Sequence, residues 1–228
     1  GSANRVTFTS TNVISASAGT LSLWFKPATT QTFTTGGYIF EHFGTNSRIY
    51  LQYVTSGSVT NVYAILSTGT TIGTVSVTPN VWHHAVLTWD NTSAKLYIDG
   101  IDKTTTGTIT ALTNIAATSY IGNFSDFAEG VTGGIDEVKI YNYALTSDEV
   151  QLDYNKGAAM VLGTLSDTSG LSGGSSASSS ATASYCVPGA TDTCSAPMGE
   201  WNFEEGSGTS AFDSSGNGNT GTATGTTI

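Results

Sequence analysis

The chain has 228 residues, of which 11% are charged, and seven Lys and Arg against 17 Asp and Glu leave a formal net charge of −10. That balance argues against a nucleic-acid or anionic-membrane partner, because both need a basic face. Thr, Ser and Gly dominate the composition, which favours strands and turns over helix bundles.

The elements follow in chain order. "RVTFT" alternates apolar and polar residues, and "TLSLWFK" places Leu21, Leu23 and Phe25 on one face. "RIYLQY" sets Ile49, Leu51 and Tyr53 on one face and Arg48, Tyr50 and Gln52 on the other. "NVYAIL" and "TIGTVSV" continue the series, and "WHHAVLTW" sets Trp82, His84 and Val86 opposite His83, Ala85 and Leu87. "KLYIDGIDK" reads as a hairpin, since Asp99-Gly100 can supply the positive φ angles of a tight turn. "SYIGN" and "GGIDEVKIYNYAL" complete a run of short alternating strands, the signature of a sandwich or barrel. One helix is expected at "TSDEVQLDYNKG". Thr146 and Glu149 have capping-box spacing, Val150 and Tyr154 share a side that can lie on the sandwich, and Gly157 is a C-terminal stop.

Composition then changes. "GTLSDTSGLSGGSSASSSATASY" is a Ser/Gly linker with too little apolar surface for a core. In "CVPGATDTC" a Pro-Gly pair lies between Cys186 and Cys194, and no other cysteine exists. A disulfide, which implies an oxidising compartment, is set against two free thiols. No apolar run approaches the roughly 18 residues of a membrane span. The last segment, "MGEWNFEEGSGTSAFDSSGNGNTGTATGTTI", has the form of an opening: an apolar strand, an acidic-glycine turn and an Asp/Asn/Gly loop. Its "DSSGNGN" is the best metal candidate. Asp213 would be the carboxylate and Asn217 and Asn219 would offer amide or backbone oxygens to calcium. A plain turn is the alternative. The EF-hand pattern is absent.

"GTLSLWFKP", "NVWHHAVLTWDNTSAKLYIDG" and "GGIDEVKIYNYALTSDEV", in this order, resemble the laminin-G-like, concanavalin-A-like superfamily, and within it the bacterial laminin-G-like repeats of large surface proteins. The match covers roughly residues 5 to 157. The resemblance implies an all-β, two-sheet antiparallel jelly-roll sandwich with one short helix. It also implies that such domains open with a strand like "GEWNFEEGSG" and a loop like "FDSSGNGNTGT", which here stand near the end of the chain. The division that follows is a sandwich at 1–160 lacking its opening strands, a linker at 161–185, a small cysteine loop at 186–198, and opening strands at 199–228. Those strands are a fragment of a next repeat, a segment that completes its own domain, or a donation to a neighbouring subunit. Missing opening strands would leave unpaired sheet edges, which strand addition cures. Trp201 and Phe203 would be the buried anchors.

In domains similar to this one the opening loop lies near the strand "GGIDEVKIY", so the resemblance adds Asp136 and Gly134 to the calcium set. It also raises a glycosidase, but no strand carries acids at alternate positions. Glu204-Glu205 are adjacent, Asp148-Glu149 open the helix, and Asp126 and Glu129 read as solvated loop. His83 and His84 face opposite ways, as do Glu41 and His42, which is poor geometry for one metal. The expected function is a non-catalytic structural or adhesive module, secreted or on the cell surface. Its partners would be copies of itself or neighbouring laminin-G-like repeats, with calcium as a structural cofactor. The rival is a glycan-binding module using Arg48, Tyr50, Tyr53 and Tyr63, since sugars stack on aromatics.

Overall fold

The computed structural model describes residues 4–30, 36–56, 58–124, 129–155 and 196–225. Cys186, Cys194, Gly157, Asp126 and the Ser/Gly linker lie outside the described residues. Eleven strands precede the helix: β1 (Arg5–Thr9), β2 (Gly19–Pro27), β3 (Gly37–His42), β4 (Arg48–Ser56), β5 (Val59–Ser67), β6 (Thr70–Val77), β7 (His83–Trp89), β8 (Ala94–Ile98), β9 (Ile101–Asp102), β10 (Thr118–Ile121) and β11 (Gly133–Tyr141). Then come α1 (Ser147–Tyr154), β12 (Gly199–Trp201), β13 (Ser210–Ala211) and β14 (Gly221–Thr224).

The strands form two antiparallel sheets, the all-β sandwich with one short helix that the alternation implied. The larger runs β13-β14-β1-β10-β3-β4-β5-β6 and the smaller β12-β11-β2-β7-β8-β9. Inward residues of both fill one core, including Phe8, Leu21, Leu23, Phe25, Phe40, Leu51, Tyr53, Leu87, Trp89 and Trp201. Burial of this apolar surface is what holds the sheets face to face. Asp99 and Gly100 have φ of 51° and 75°, the paired positive values a two-residue hairpin turn requires. Strand β3 is not announced by alternation, because Ile39 and Phe40 both face the core across a bulge between Tyr38 and Phe40.

Every residue of β7 is buried, for a reason visible one layer out. One face of β7 meets the core and the other is covered by α1. The helix starts at the expected capping box, with Thr146 accepting from the Glu149 amide and Glu149 accepting from the Thr146 amide. Val150 joins Val86, Tyr97, Tyr141 and Leu145 in a second apolar cluster outside the smaller sheet. Tyr154 stacks on Trp24 and His84.

Residues 196–225 lie along one edge of both sheets. β12 pairs with β11 in the smaller sheet, matching Trp201 with Val138. β14 pairs with β1 and β13 with β14 in the larger. Between the sheets Trp201 is fully buried, its ring 4.5 Å from Phe8 and its Nε1 donating to the Asn219 carbonyl. Close approach is needed nearby: a Cβ on Gly221 would sit 2.6 Å from Val6 Cγ1. Phe203 is not an equal anchor. It lies beyond β12, is half-buried, and holds a left-handed φ of 52°.

Candidate binding face

The outward residues of the larger sheet converge on an aromatic face. A register line crosses five strands through Thr7, Tyr120, Glu41, Tyr50 and Ile65. Around Tyr50 sit Tyr38, edge-on at 5.3 Å, Phe43, stacked at 6.3 Å, and Phe124 at 6.2 Å. Arg48 lies over the Phe43 ring at 5.2 Å and Arg5 over Tyr120 at 4.5 Å. These two are the only arginines of the chain, and both stand on this face with their guanidinium planes on aromatic rings.

Of the four residues expected to meet a glycan, the structure brings three to this face. Arg48 and Tyr50 belong to β4, and Tyr63 stands opposite Gln52 on the same side. Tyr53 does not join them. Its residue parity turns it into the core, where it is fully buried and its hydroxyl bonds the backbone of Thr132. Burial therefore drives its pKa up to about 12. Tyr50 is on the face but is 6% exposed, covered by its aromatic neighbours. Burial, then the charge of Glu41, pushes its hydroxyl pKa upward. The ring most open to a ligand is Phe43, 49% exposed. Sequence reasoning missed Phe43, Tyr38, Phe124 and Tyr120. Tyr38 lies in β3 and Phe43 directly follows it, and recognising that strand would have found them.

The metal candidates separate. Asp213 accepts from the amides of Glu200 and Ser215 through Oδ1 and of Asn219 through Oδ2. Burial works against its charge, but the bonds from Ser215, Glu200 and Asn219 outweigh it and hold the carboxyl below the ordinary range. Asn217 and Asn219 turn their Nδ2 donors to the Met198 carbonyl. These hydrogen bonds order the loop. Asp136 and Gly134 instead line a cleft of about 340 Å³ with Asn4, Arg5, Trp82 and Phe203, and Asp213 is not among its walls. Among the described residues no group of three or more His, Cys, Asp and Glu could hold a metal ion.

His83 and His84 are both buried. His83 packs on the core side, with Nδ1 2.8 Å from Asp99 and Nε2 3.0 Å from the Thr78 carbonyl. The hydrogen bond to Asp99 raises its pKa. His84, on the opposite side of β7 from His83, is 1% exposed because α1 covers it. It meets Ser22, Asp153 and Lys139 there. Ser22 Oγ donates to Asp153 Oδ2, so His84 Nε2 carries the proton it shares with Ser22 Oγ at 2.9 Å. Asp153 Oδ2 is 3.3 Å from the same nitrogen, and Lys139 Nζ donates to Oδ1 at 2.8 Å. A hydrolytic triad needs serine and carboxylate on opposite ring nitrogens, with the serine giving its proton to the histidine. Here both sit at Nε2 and the serine gives its proton to the carboxylate. The set is a buried clamp for the helix.

Comparisons place this geometry among known folds. The family model described as the concanavalin A-like lectin/glucanases superfamily matches residues 1–151. A native heptameric SAP-like pentraxin from Limulus polyphemus is similar with a TM-score of 0.50 and 17% identity, over 66% of this chain and 75% of that one. Domain 4 of an extracellular arabinanase from Geobacillus stearothermophilus, solved with arabinotriose, gives 0.42 and 22%, over 62% and 74%. The binding domain of botulinum neurotoxin serotype G gives 0.44 and 15%, over 61% of this chain and 36% of that one. At these identities the likeness extends to the fold alone. No curated protein sequence matches the chain, and among the described residues no helix is long and apolar enough to cross a membrane.

Proposed function

We propose that this chain, which belongs to the concanavalin A-like lectin/glucanases superfamily, is a non-catalytic extracellular structural or adhesive module. Its sandwich is completed by the C-terminal strand segment, in the same chain or from a neighbouring copy, as the unit of a surface array. The observation that supports this reading is the burial of Trp201 between β1 and β11. A segment that fills the core and adds strands to both sheets is a structural part of a sandwich, wherever it originates. The 40 residues at 156–195 that separate it from the helix, rich in Ser and Gly, allow either origin.

The test uses full-length Trp201→Ala as a sound acceptor with a damaged segment. A separate wild-type peptide of residues 196–228 is expected to raise its melting temperature and to bind at one per chain by titration calorimetry. A peptide that neither binds nor stabilises would remove strand completion as the basis of assembly.

The aromatic face favours a second reading, glycan binding by stacking on Phe43 and hydrogen bonding from Arg48. Phe43→Ala is expected to weaken binding to any responsive glycan on an array at least tenfold while leaving the melting temperature within about 2 °C, because the ring is half-exposed. An array with no responsive glycan removes this reading.

A further inference from the structure

Asn217-Gly218 is the one asparagine–glycine pair of the chain, and it stands in the loop that fastens the C-terminal segment. Met198 leads into β12. Its amide donates to the Ile140 carbonyl of β11 at 2.6 Å. Its own carbonyl is gripped by three side chains of the loop: Asn219 Nδ2 donates at 2.7 Å, Asn217 Nδ2 at 3.3 Å and Ser215 Oγ at 3.3 Å. Asn217 Nδ2 also reaches the Pro197 carbonyl at 3.2 Å. One exposed side-chain amide, through long bonds, therefore helps to hold the entry of the strand that carries Trp201.

A side-chain carbonyl that precedes a glycine lies within reach of the glycine's backbone nitrogen, and the attack closes a five-membered ring. The reaction is intramolecular, and glycine has no side chain to block it. The chain offers a second such pair, Asp99-Gly100, and the two differ. The Asp99 carboxylate is held by His83 Nδ1 at 2.8 Å and by the His84 amide at 2.9 Å, and a Cβ on Gly100 would meet Tyr154 at 3.2 Å. Gly218 is exposed, holds a left-handed φ of 76°, and a Cβ built there would meet nothing within 4 Å.

We propose that Asn217-Gly218 is a self-modification site, where conversion of the asparagine to aspartate and isoaspartate loosens the grip of the loop on Met198. The Gly218 backbone nitrogen adds to Asn217 Cγ and gives up its proton. The Cγ–Nδ2 bond breaks, and Nδ2 leaves with that proton as ammonia. Water then opens the resulting succinimide at either carbonyl, and nothing is oxidised or reduced. Both products replace the N–H donors by carboxylate oxygens that only accept, set against the Pro197 and Met198 carbonyls. Both add a negative charge to the loop of Asp213, whose carboxylate already accepts from three amides. Isoaspartate also lengthens the backbone between Ser215 and Asn219, the two loop residues whose amides bond Asp213. This inference goes beyond strand completion: the hold on the segment weakens with the age of the chain, whichever copy supplies the segment.

The experiment ages the folded full chain in mildly alkaline buffer and follows it by peptide mapping, with fragmentation that separates aspartate from isoaspartate. Asn217 is expected to convert at least about tenfold faster than any other asparagine, the ratio set by a barrier about 1.4 kcal/mol lower. Asn217→Gln, whose ring would need a further atom, is expected to stay unmodified. Asn217→Asp and the aged wild type are both expected to melt below fresh wild type, with faster hydrogen exchange at the Met198 amide. An Asn217 that persists in the folded chain after it has converted in the same chain held in urea overturns the proposal, because the loop then protects it. So does an aged chain that melts and exchanges like fresh protein, because the grip on Met198 then does not depend on the Asn217 amide. Failure of the peptide to rescue Trp201→Ala, with Asn217 still converting, removes strand completion and leaves the modification standing.

Discussion

Replacing Trp201 by alanine is expected to cost the fold about 3–5 kcal/mol, the range for truncating a buried aromatic. The ring is fully buried, packs on Phe8 and donates to the Asn219 carbonyl. Its loss would leave a cavity between the sheets and an orphaned acceptor in the Asp213 loop. The cavity cannot close easily, because β12 is held to β11 and β14 to β1 on either side of it. Equilibrium urea unfolding checks the magnitude, and hydrogen exchange at Val138 and Ile140 should rise with it. A loss below about 1 kcal/mol would mean that residues 196–225 sit on the sandwich without being part of its core.

Asp153→Ala is expected to destabilise by a comparable amount, about 3–5 kcal/mol, because it leaves the Lys139 ammonium without its buried counter-charge and Ser22 without its acceptor. Burial alone would raise the Asp153 pKa. The hydrogen bond with His84 and the charge of Lys139 outweigh it and hold the carboxyl far below its ordinary range. A group with a depressed folded pKa contributes fully above its unfolded value, about 3.9, and loses that contribution as pH falls toward the folded one. The gap in stability between wild type and Asp153→Ala is therefore largest near neutrality and should narrow below about pH 4. Fluorescence of Trp24, which stacks on Tyr154 and lies tilted against His84, would report undocking of α1. A gap that does not change with pH would assign the clamp to packing rather than charge.

Much of the architecture was legible because strands half-covered by a core must alternate. The inward sets Leu21, Leu23, Phe25 and Ile49, Leu51, Tyr53 are buried as their spacing implied, and the capping box at Thr146 is a short-range pattern that needs no partner. The candidate face was only partly legible. Arg48, Tyr50 and Tyr63 share it by parity, but the same parity excluded Tyr53. Phe43 and Tyr38 were hidden because a bulge puts two consecutive core residues, Ile39 and Phe40, into β3. Alternation set His84 opposite His83, but no local pattern announces that a helix beginning at Ser147 covers it.

The sequence by itself determined a run of short half-buried strands, the helix with its cap, the acidic net charge, and the strand-forming potential of its last segment. Those are properties of short windows, set by alternation, turn chemistry and charge. Only the tertiary structure decided which groups meet: Trp201 with Phe8, Asp153 with His84, and Arg5 with Tyr120. These pairs are far apart in the chain, and strand order and register, unlike periodicity, are settled by the packing of the whole core.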